Sequence, residues 1–295
     1  MNGYSSLHTH TVFCDGEDDV ETMCRRAFEK GLCAVGFSAH GPVGKTGPET
    51  DWHMRSERLG EYVDEVRAAG RRWEGKIAVY LGLELDYIRG IRSALDDDIA
   101  ELVRRGTLDY LIGSVHYIVP ARGEPWDGLF AVDGPSPEME KNVLVFGGDG
   151  NALMNAYWDT VLEMVNLGGF DIVGHLDLVK KNNGKNRWFD TESAAYLQRA
   201  EEAVRAIASA GLVVEASSGG MNRGYIRETY PALPILRLLR RYNVPVMIGA
   251  DAHRAEDLDG HYGEVRRVLC DAGYAGHVLF RGRRDGKPVW REKAL

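Results

Sequence analysis

The sequence predicts an α/β fold, a barrel of seven parallel strands with helices outside it, and three observations lead there. Short apolar runs recur along the 295 residues, helical patterns stand between them, and His or an acidic residue ends run after run. Strands covered on both faces read as near-continuous Val, Ile and Leu, which is how most of these runs read. Repeated β/α order allows a barrel or an open doubly wound sheet. Polar residues gathered at the C-terminal strand ends favour the barrel, because a parallel barrel carries its chemistry there.

The strands in order are SSLHTH at 5–10, AVGFSAH at 34–40, AVYLGLEL at 78–85, YLIGSVHYI at 110–118, DIVGHLDL at 171–178, LVVEASS at 212–218 and PVMIGADAH at 245–253. Helices are expected over 20–31, 56–70, 151–169 and 191–211, where apolar residues recur at three- and four-residue spacing and several segments end in Gly. Two long stretches, 41–55 and 120–150, read as irregular. Both follow strands, where a barrel enzyme builds its site. HVLFRGRRDGKPVW at 277–290 reads as a closing hairpin turning near Asp285-Gly286. Length fits one domain, 1–295, since barrels often run to about 250 residues or more as a unit.

Composition narrows the function. A hydrophobic fraction of 44% with 27% charged residues is that of an ordinary globule able to bury a core. The net charge of −8 argues against long nucleic acid or anionic lipid as partner. Four cysteines, Cys14, Cys24, Cys33 and Cys270, form no CxxC pair, and no signal peptide or membrane-spanning run is visible, so a cytoplasmic setting is expected. Oligomeric state is not legible.

The chemical signal is His8 and His10, His40, Glu84, His116, His175, then Asp251 and His253, all at strand ends. Residues two apart on a strand point the same way, so His8 with His10 and Asp251 with His253 can each aim two groups into one cavity. Burying so many ionisable groups costs on the order of several kcal/mol per ion unless a partner compensates. Imidazole and carboxylate without thiolate suit Zn, Mn or Fe, and the set exceeds what one tetrahedral ion uses. Two or three divalent ions are expected, with Glu84 bridging.

Asp15, in TVFCDGE, is a further candidate ligand, although Asp before Gly is also an ordinary turn pair. Cys14 reads as a packing residue. His53, His261 and His277 read as solvated, with His53 able to face substrate from its loop. Glu215 is equally a substrate contact or a satisfied buried carboxylate. Lys180, Lys181, Arg223 and Arg254 each follow a strand end and are the candidate phosphate contacts. No Walker loop, GxGxxG or serine elbow is evident.

The ordered motifs HTH at 8–10, GFSAH at 36–40, GLE at 82–84, GSVH at 113–116, GHLD at 174–177 and DAH at 251–253 resemble the PHP (polymerase and histidinol phosphatase) superfamily over essentially the whole chain. SVHY, GHLDLVKK, ETYPA and ADAHRAED look like its histidinol-phosphatase branch. The resemblance implies a distorted (β/α)7 barrel with a trinuclear site at the C-terminal strand ends. By that pattern His8, His10, Glu84 and Asp251 hold one ion, Glu84, His116 and His175 a second, and His40 with His253 a third.

Many members complete the third site with a His shortly after HxH, where this chain offers Asp15. The stretch ASSGGMNRG at 216–224 also departs from the family's usual NTSG, leaving Arg223 as phosphate clamp. The implied reaction is hydrolysis of a small phosphate monoester, L-histidinol phosphate to L-histidinol in histidine synthesis. Metal-activated hydroxide would be the nucleophile, with Asp251 or His253 assisting proton transfer. The alternatives are hydrolysis of another small phosphorylated metabolite or nucleotide, and a non-catalytic metal- or phospholigand-binding barrel.

Overall fold

The structure is a computed structural model that describes residues 3–43, 50–89, 97–119, 130–134 and 136–295. The first half runs β1 (Ser5–Ser6), α1 (Val20–Glu29), β2 (Ala34–Phe37), α2 (Leu59–Arg72), β3 (Ala78–Asp86), α3 (Asp97–Arg104), β4 (Tyr110–Ser114), β5 (Tyr117–Ile118), β6 (Phe130–Ala131), α4 (Ser136–Val145) and α5 (Gly150–Leu167). The second runs β7 (Ile172–Val173), α6 (Ala194–Ala210), β8 (Val213–Ser217), α7 (Gly219–Asn222), α8 (Leu233–Arg241), β9 (Val246–Gly249), α9 (Tyr262–Asp271), β10 (Gly276–Arg284) and β11 (Lys287–Ala294).

Helix ends follow local chemistry. Asp19 caps α1 by accepting from the Thr22 amide at 2.7 Å, Ser193 caps α6 through the Tyr196 amide, and α6 stops at Gly211, whose φ of 68° suits glycine. The four helices expected from the sequence are present, and α3, α4, α7, α8 and α9 add to them. The stretch 120–150 is not irregular throughout. It contains β6, α4 and the start of α5, with Met139 and Val143, four apart, buried in the core. Residues 44–49, 120–129 and 135 of the two long stretches lie outside the described residues.

Seven strands form one parallel sheet in the order β1-β2-β3-β4-β7-β8-β9. The ends meet: Thr9 bridges Ala252 in parallel, with the His10 amide donating to the Ala252 carbonyl at 2.8 Å and the Ala252 amide to the His8 carbonyl at 3.1 Å. This is a nearly closed seven-stranded barrel. Regular pairing ends earlier than the apolar runs suggest. The β1 ladder stops at Ser6 and β7 is two residues long, so His8, His10, His40 and His175 all lie beyond the ladders.

Side-chain parity divides each strand between two environments. Leu81, Leu83 and Leu85 of β3, with Val214, Ala216, Val246 and Ile248, belong to the large core beneath the helices. Tyr110, Ile112, Ile172, Val213 and Met247 fill the lumen instead, where Val278 and Phe280 of β10 plug the N-terminal mouth. Phe280 packs edge-on to Tyr80 at 4.9 Å between centroids. The β10–β11 hairpin turns at Asp285 and Gly286, both at positive φ, as an Asp-Gly turn requires. Crowding in the lumen demands Gly82, where a Cβ would come within 2.6 Å of the Tyr110 ring.

No helix among the described residues is long and apolar enough to cross a membrane.

Candidate metal centre

One or two strand steps above the aromatic plug the same inward parity turns ionisable. Glu84 and Asp86 follow Tyr80 on β3, Ser114 at the end of β4 and His116 just beyond it follow Ile112, Glu215 follows Val213 on β8, and Asp251 lies beyond Met247. Gly249 makes room for this layer, since a Cβ there would lie 1.9 Å from Glu215 Oε1. Asp251 takes a φ of 46°, a left-handed conformation that Asp tolerates better than bulkier residues.

Glu84 is at the centre of the cluster. Its Oε2 lies 3.2 Å from His8 Nε2, 3.5 Å from His10 Nε2 and 3.1 Å from His40 Nδ1, while Oε1 faces His175 Nε2 at 2.9 Å and His116 Nε2 at 3.8 Å. Asp251 Oδ1 approaches His10 Nε2 at 3.1 Å and His8 Nε2 at 3.6 Å. Asp15 Oδ2 meets His253 Nε2 at 3.0 Å, and Oδ1 sits 3.6 Å from His10 Nδ1 and 3.8 Å from His40 Nε2. All nine candidate ligands therefore converge. They fall into overlapping groups with ion-holding spacing, among them His8 with Glu84 and His175, His8 with His10 and Asp251, and His10 with Asp15, His40 and His253.

The unpartnered atoms test whether cations fit. His8 Nε2, His10 Nε2, His40 Nδ1, Glu84 Oε2 and Asp15 Oδ1 are buried and make no hydrogen bond among the described residues, although all face this centre. Buried polar atoms are ordinarily satisfied, and a lone-pair donor set of imidazoles and carboxylates is what a divalent cation uses. The residues present fit metal ions.

Outer contacts orient the ligands. Glu215 Oε2 takes His8 Nδ1 at 2.9 Å and also accepts from the His175 amide, Asp86 Oδ1 holds His116 Nδ1, and the Asp251 carbonyl lies 3.0 Å from His253 Nδ1. An acceptor beside Nδ1 selects the tautomer whose Nε2 lone pair points inward. Burial alone would raise the Glu84 carboxyl, but the imidazoles of His8, His40 and His116 outweigh it and hold Glu84 well below the usual range. His40 is pushed well down by its burial, favouring the neutral ring that can ligate. His116 is buried too, yet Asp86 and Glu84 raise it to about 10.

Asp86 was not singled out by sequence, although its place two residues after Glu84 puts it on the same strand face. It also anchors His53, whose Nε2 lies 2.6 Å from Asp86 Oδ2. His53 is thus buried rather than solvated, as is His277, which stacks on Tyr4 at the barrel's other end. His261 is exposed. Glu215 is a buried carboxylate whose Oε2 is held by His8 and the His175 amide, while Oε1 makes no hydrogen bond among the described residues. Cys14 packs with its thiol 3.5 Å from His10 Nδ1, and burial pushes that thiol up to about 12, which disfavours a thiolate ligand.

A cleft of about 190 Å3 opens above the centre, and its wall includes Trp52, Asp133, Lys181, Arg223, Tyr225 and Tyr230. Of the four basic candidates, Lys181 and Arg223 line it. Lys180 does not, because the 3-10 turn Leu178–Lys180 folds it back onto Asp177 at 2.8 Å and the Thr229 carbonyl. Arg254 pairs with Asp257 and lines an adjoining depression that shares Asp15, Arg223, Tyr225 and His253 with the cleft.

The sequence profile of the PHP domain matches residues 6–219. A relative in Deinococcus radiodurans named a probable histidinol-phosphatase is 27% identical, with the alignment covering 96% of this chain and 99% of that one. Two crystal structures share the fold. One, from Listeria monocytogenes and provisionally described as a histidinol phosphatase, has a TM-score of 0.76 at 22% identity, covering 88% of this chain and 99% of its own. The other is the histidinol phosphate phosphatase of Lactococcus lactis, complexed with zinc, L-histidinol and phosphate, at TM-score 0.65 and 20% identity, covering 95% and 99%.

Proposed function

Since this chain belongs to the PHP domain family, we propose that it hydrolyses a small phosphate monoester, L-histidinol phosphate, to L-histidinol and phosphate with two or three divalent ions of the Zn, Mn or Fe type. The observation that carries the reading is Glu84, whose two oxygens lie between two sets of buried imidazoles directly beneath a cleft that Arg223 and Lys181 line. The activity for which the relatives are named and the L-histidinol and phosphate of the Lactococcus lactis complex support the choice of substrate. Beyond the profile's end at 219, Asp251 and His253 complete the same centre, which supports a single functional unit over 1–295.

His8, His10, Glu84 and Asp251 would hold one ion, Glu84, His116 and His175 a second, and Asp15, His40 and His253 a third. Bound there, the ions would neutralise the carboxylates and supply the Lewis acidity that activates water toward phosphorus. The chain's own part is positional and electrostatic. Arg223 and Lys181 present donors to phosphate oxygens, holding the ester in line and countering charge that grows on those oxygens. Asp251, which lines the cleft, would hold or move the proton that the leaving oxygen needs through the carboxylate oxygen that does not ligate, while His253 Nε2, once ligating, carries no proton.

A cytoplasmic setting and a small phosphorylated metabolite as partner belong to the same reading. Its test is phosphate release by metal-loaded protein from L-histidinol phosphate in competition with sugar and nucleotide monoesters. L-histidinol phosphate should have the highest kcat/KM, and chelation should abolish release. Equal turnover after chelation, or preference for a nucleotide, would sink it.

A further inference from the structure

Among the described residues, the cleft wall contains one carboxylate that none of the ligand groups uses. Asp133 lines the cleft, and its turn is pinned from several directions. The Val132 amide donates to the His116 carbonyl at 2.8 Å, Lys181 Nζ donates to the Asp133 carbonyl at 2.7 Å, Asn182 Nδ2 to the Gly134 carbonyl at 2.7 Å, and Asn142 Nδ2 to the Ala131 carbonyl at 3.0 Å. A turn held this way presents its side chain at a fixed place.

Contacts order the rim. Asp133 adjoins Lys181, whose ammonium lies 4.2 Å from the centre of the Tyr225 ring; Arg223 lies 6.0 Å from the same ring and 3.8 Å from Asp15 of the metal cluster. Asp133 thus lies on the His116 side of the cleft, paired with Lys181, and Asp15 on the side where Arg223 approaches it. Lys181 engages its carboxylate only loosely, at 3.4 Å to Oδ2, and no described hydrogen bond uses Oδ1. The carboxylate is near enough to act electrostatically on His116, Tyr230 and Arg223. In a cleft that must take a phosphate dianion, such a charge opposes binding unless the far end of the ligand is cationic.

We propose that Asp133 is a specificity residue that receives the ammonium group of an amine-bearing phosphate monoester, so that the cleft reads a zwitterion: phosphate toward Arg223 and the metal centre, amine toward Asp133. Trp52, stacked face to face on Tyr117 at 5.6 Å, adds a flat aromatic wall to the same cleft for the organic part of the ligand. The inference rests on the monoesterase reading. It deepens that reading by making the amine, rather than the phosphate alone, the feature that selects substrate.

The test is calorimetric binding to metal-loaded protein of three probes: L-histidinol, its amine-free analogue imidazolylpropanol, and inorganic phosphate. Asp133→Asn should weaken L-histidinol at least tenfold, with the analogue and phosphate changing less than threefold, and Asp133→Glu should recover part of the loss. In turnover, the wild-type preference for L-histidinol phosphate over 4-nitrophenyl phosphate should fall at least tenfold in the Asn variant. Equal losses for all probes, no loss for L-histidinol, or no binding of L-histidinol by the wild type would overturn the proposal. A wild type that binds L-histidinol yet releases no phosphate from its ester would refute the hydrolase reading instead, with the Asp133 contrast still readable.

Discussion

The lower and upper halves of the barrel lumen are made by the same strands with the same side-chain parity, yet they solve opposite problems. Below, Tyr110, Ile112, Ile172, Val213 and Met247 close on Val278 and Phe280 and are stabilised chiefly by burial, each large side chain contributing roughly 1.5–3 kcal/mol, with the Tyr110 hydroxyl satisfied by the Leu7 carbonyl. One or two strand steps higher, Glu84, His116, Glu215 and Asp251 occupy equivalent inward positions where burial is unfavourable without a compensating charge. The lower half holds the barrel together, and the upper half calls for cations to compensate its buried charges. Adding a residue to any one strand between these layers would exchange lumen and outer positions above the insertion.

Substitutions in each half should have separable effects. Glu84→Ala removes the acceptor shared by two imidazole groups; turnover should fall by roughly 10²–10³-fold or more, and metal analysis should show fewer ions per chain. Phe280→Ala attacks the other half. It should cost about 3–5 kcal/mol in denaturant unfolding while the folded fraction retains its metal content, a separation that would fail if the two halves were one energetic unit. Asp86→Asn frees His116 without removing a ligand and should weaken metal affinity by about 10–100-fold, read by competition with a chelating dye.

The smallest effect belongs to the lower end of the barrel and to pH. Burial, with Lys293 and Arg266 nearby, lowers His277 to about 4. The unfolded chain binds that proton first, near 6.5, so stability is fully present above that pH and is lost as pH falls through about 4, at a slope of about 1 kcal/mol per pH unit. His277→Phe keeps a ring against Tyr4, and its unfolding free energy should lack that part of the slope.

The barrel and the convergence of the candidate ligands were legible because period-two spacing and strand-end position are local signals. His8 with His10, and Asp251 with His253, announce themselves in three residues. The outer contacts were less legible. Asp86 could have been found from its spacing to Glu84, but its partner His53 comes from a loop 33 residues earlier, and only the fold brings them within 2.6 Å. Lys180 and Lys181 are indistinguishable as sequence, and the 3-10 turn sends one to Asp177 and the other to the cleft. Buried His277 looked like a surface residue because a hairpin that plugs a barrel alternates its faces as an edge strand does.

The central claim is that the upper lumen is a charge cluster which only cations make stable and reactive. Protein dialysed against buffer should retain at least two divalent ions per chain by elemental analysis, and stripping them with a chelator should lower the thermal midpoint and abolish phosphate release, both returning on adding back Zn or Mn. A chain that retains no metal, with the same midpoint and the same turnover before and after chelation, would contradict the account.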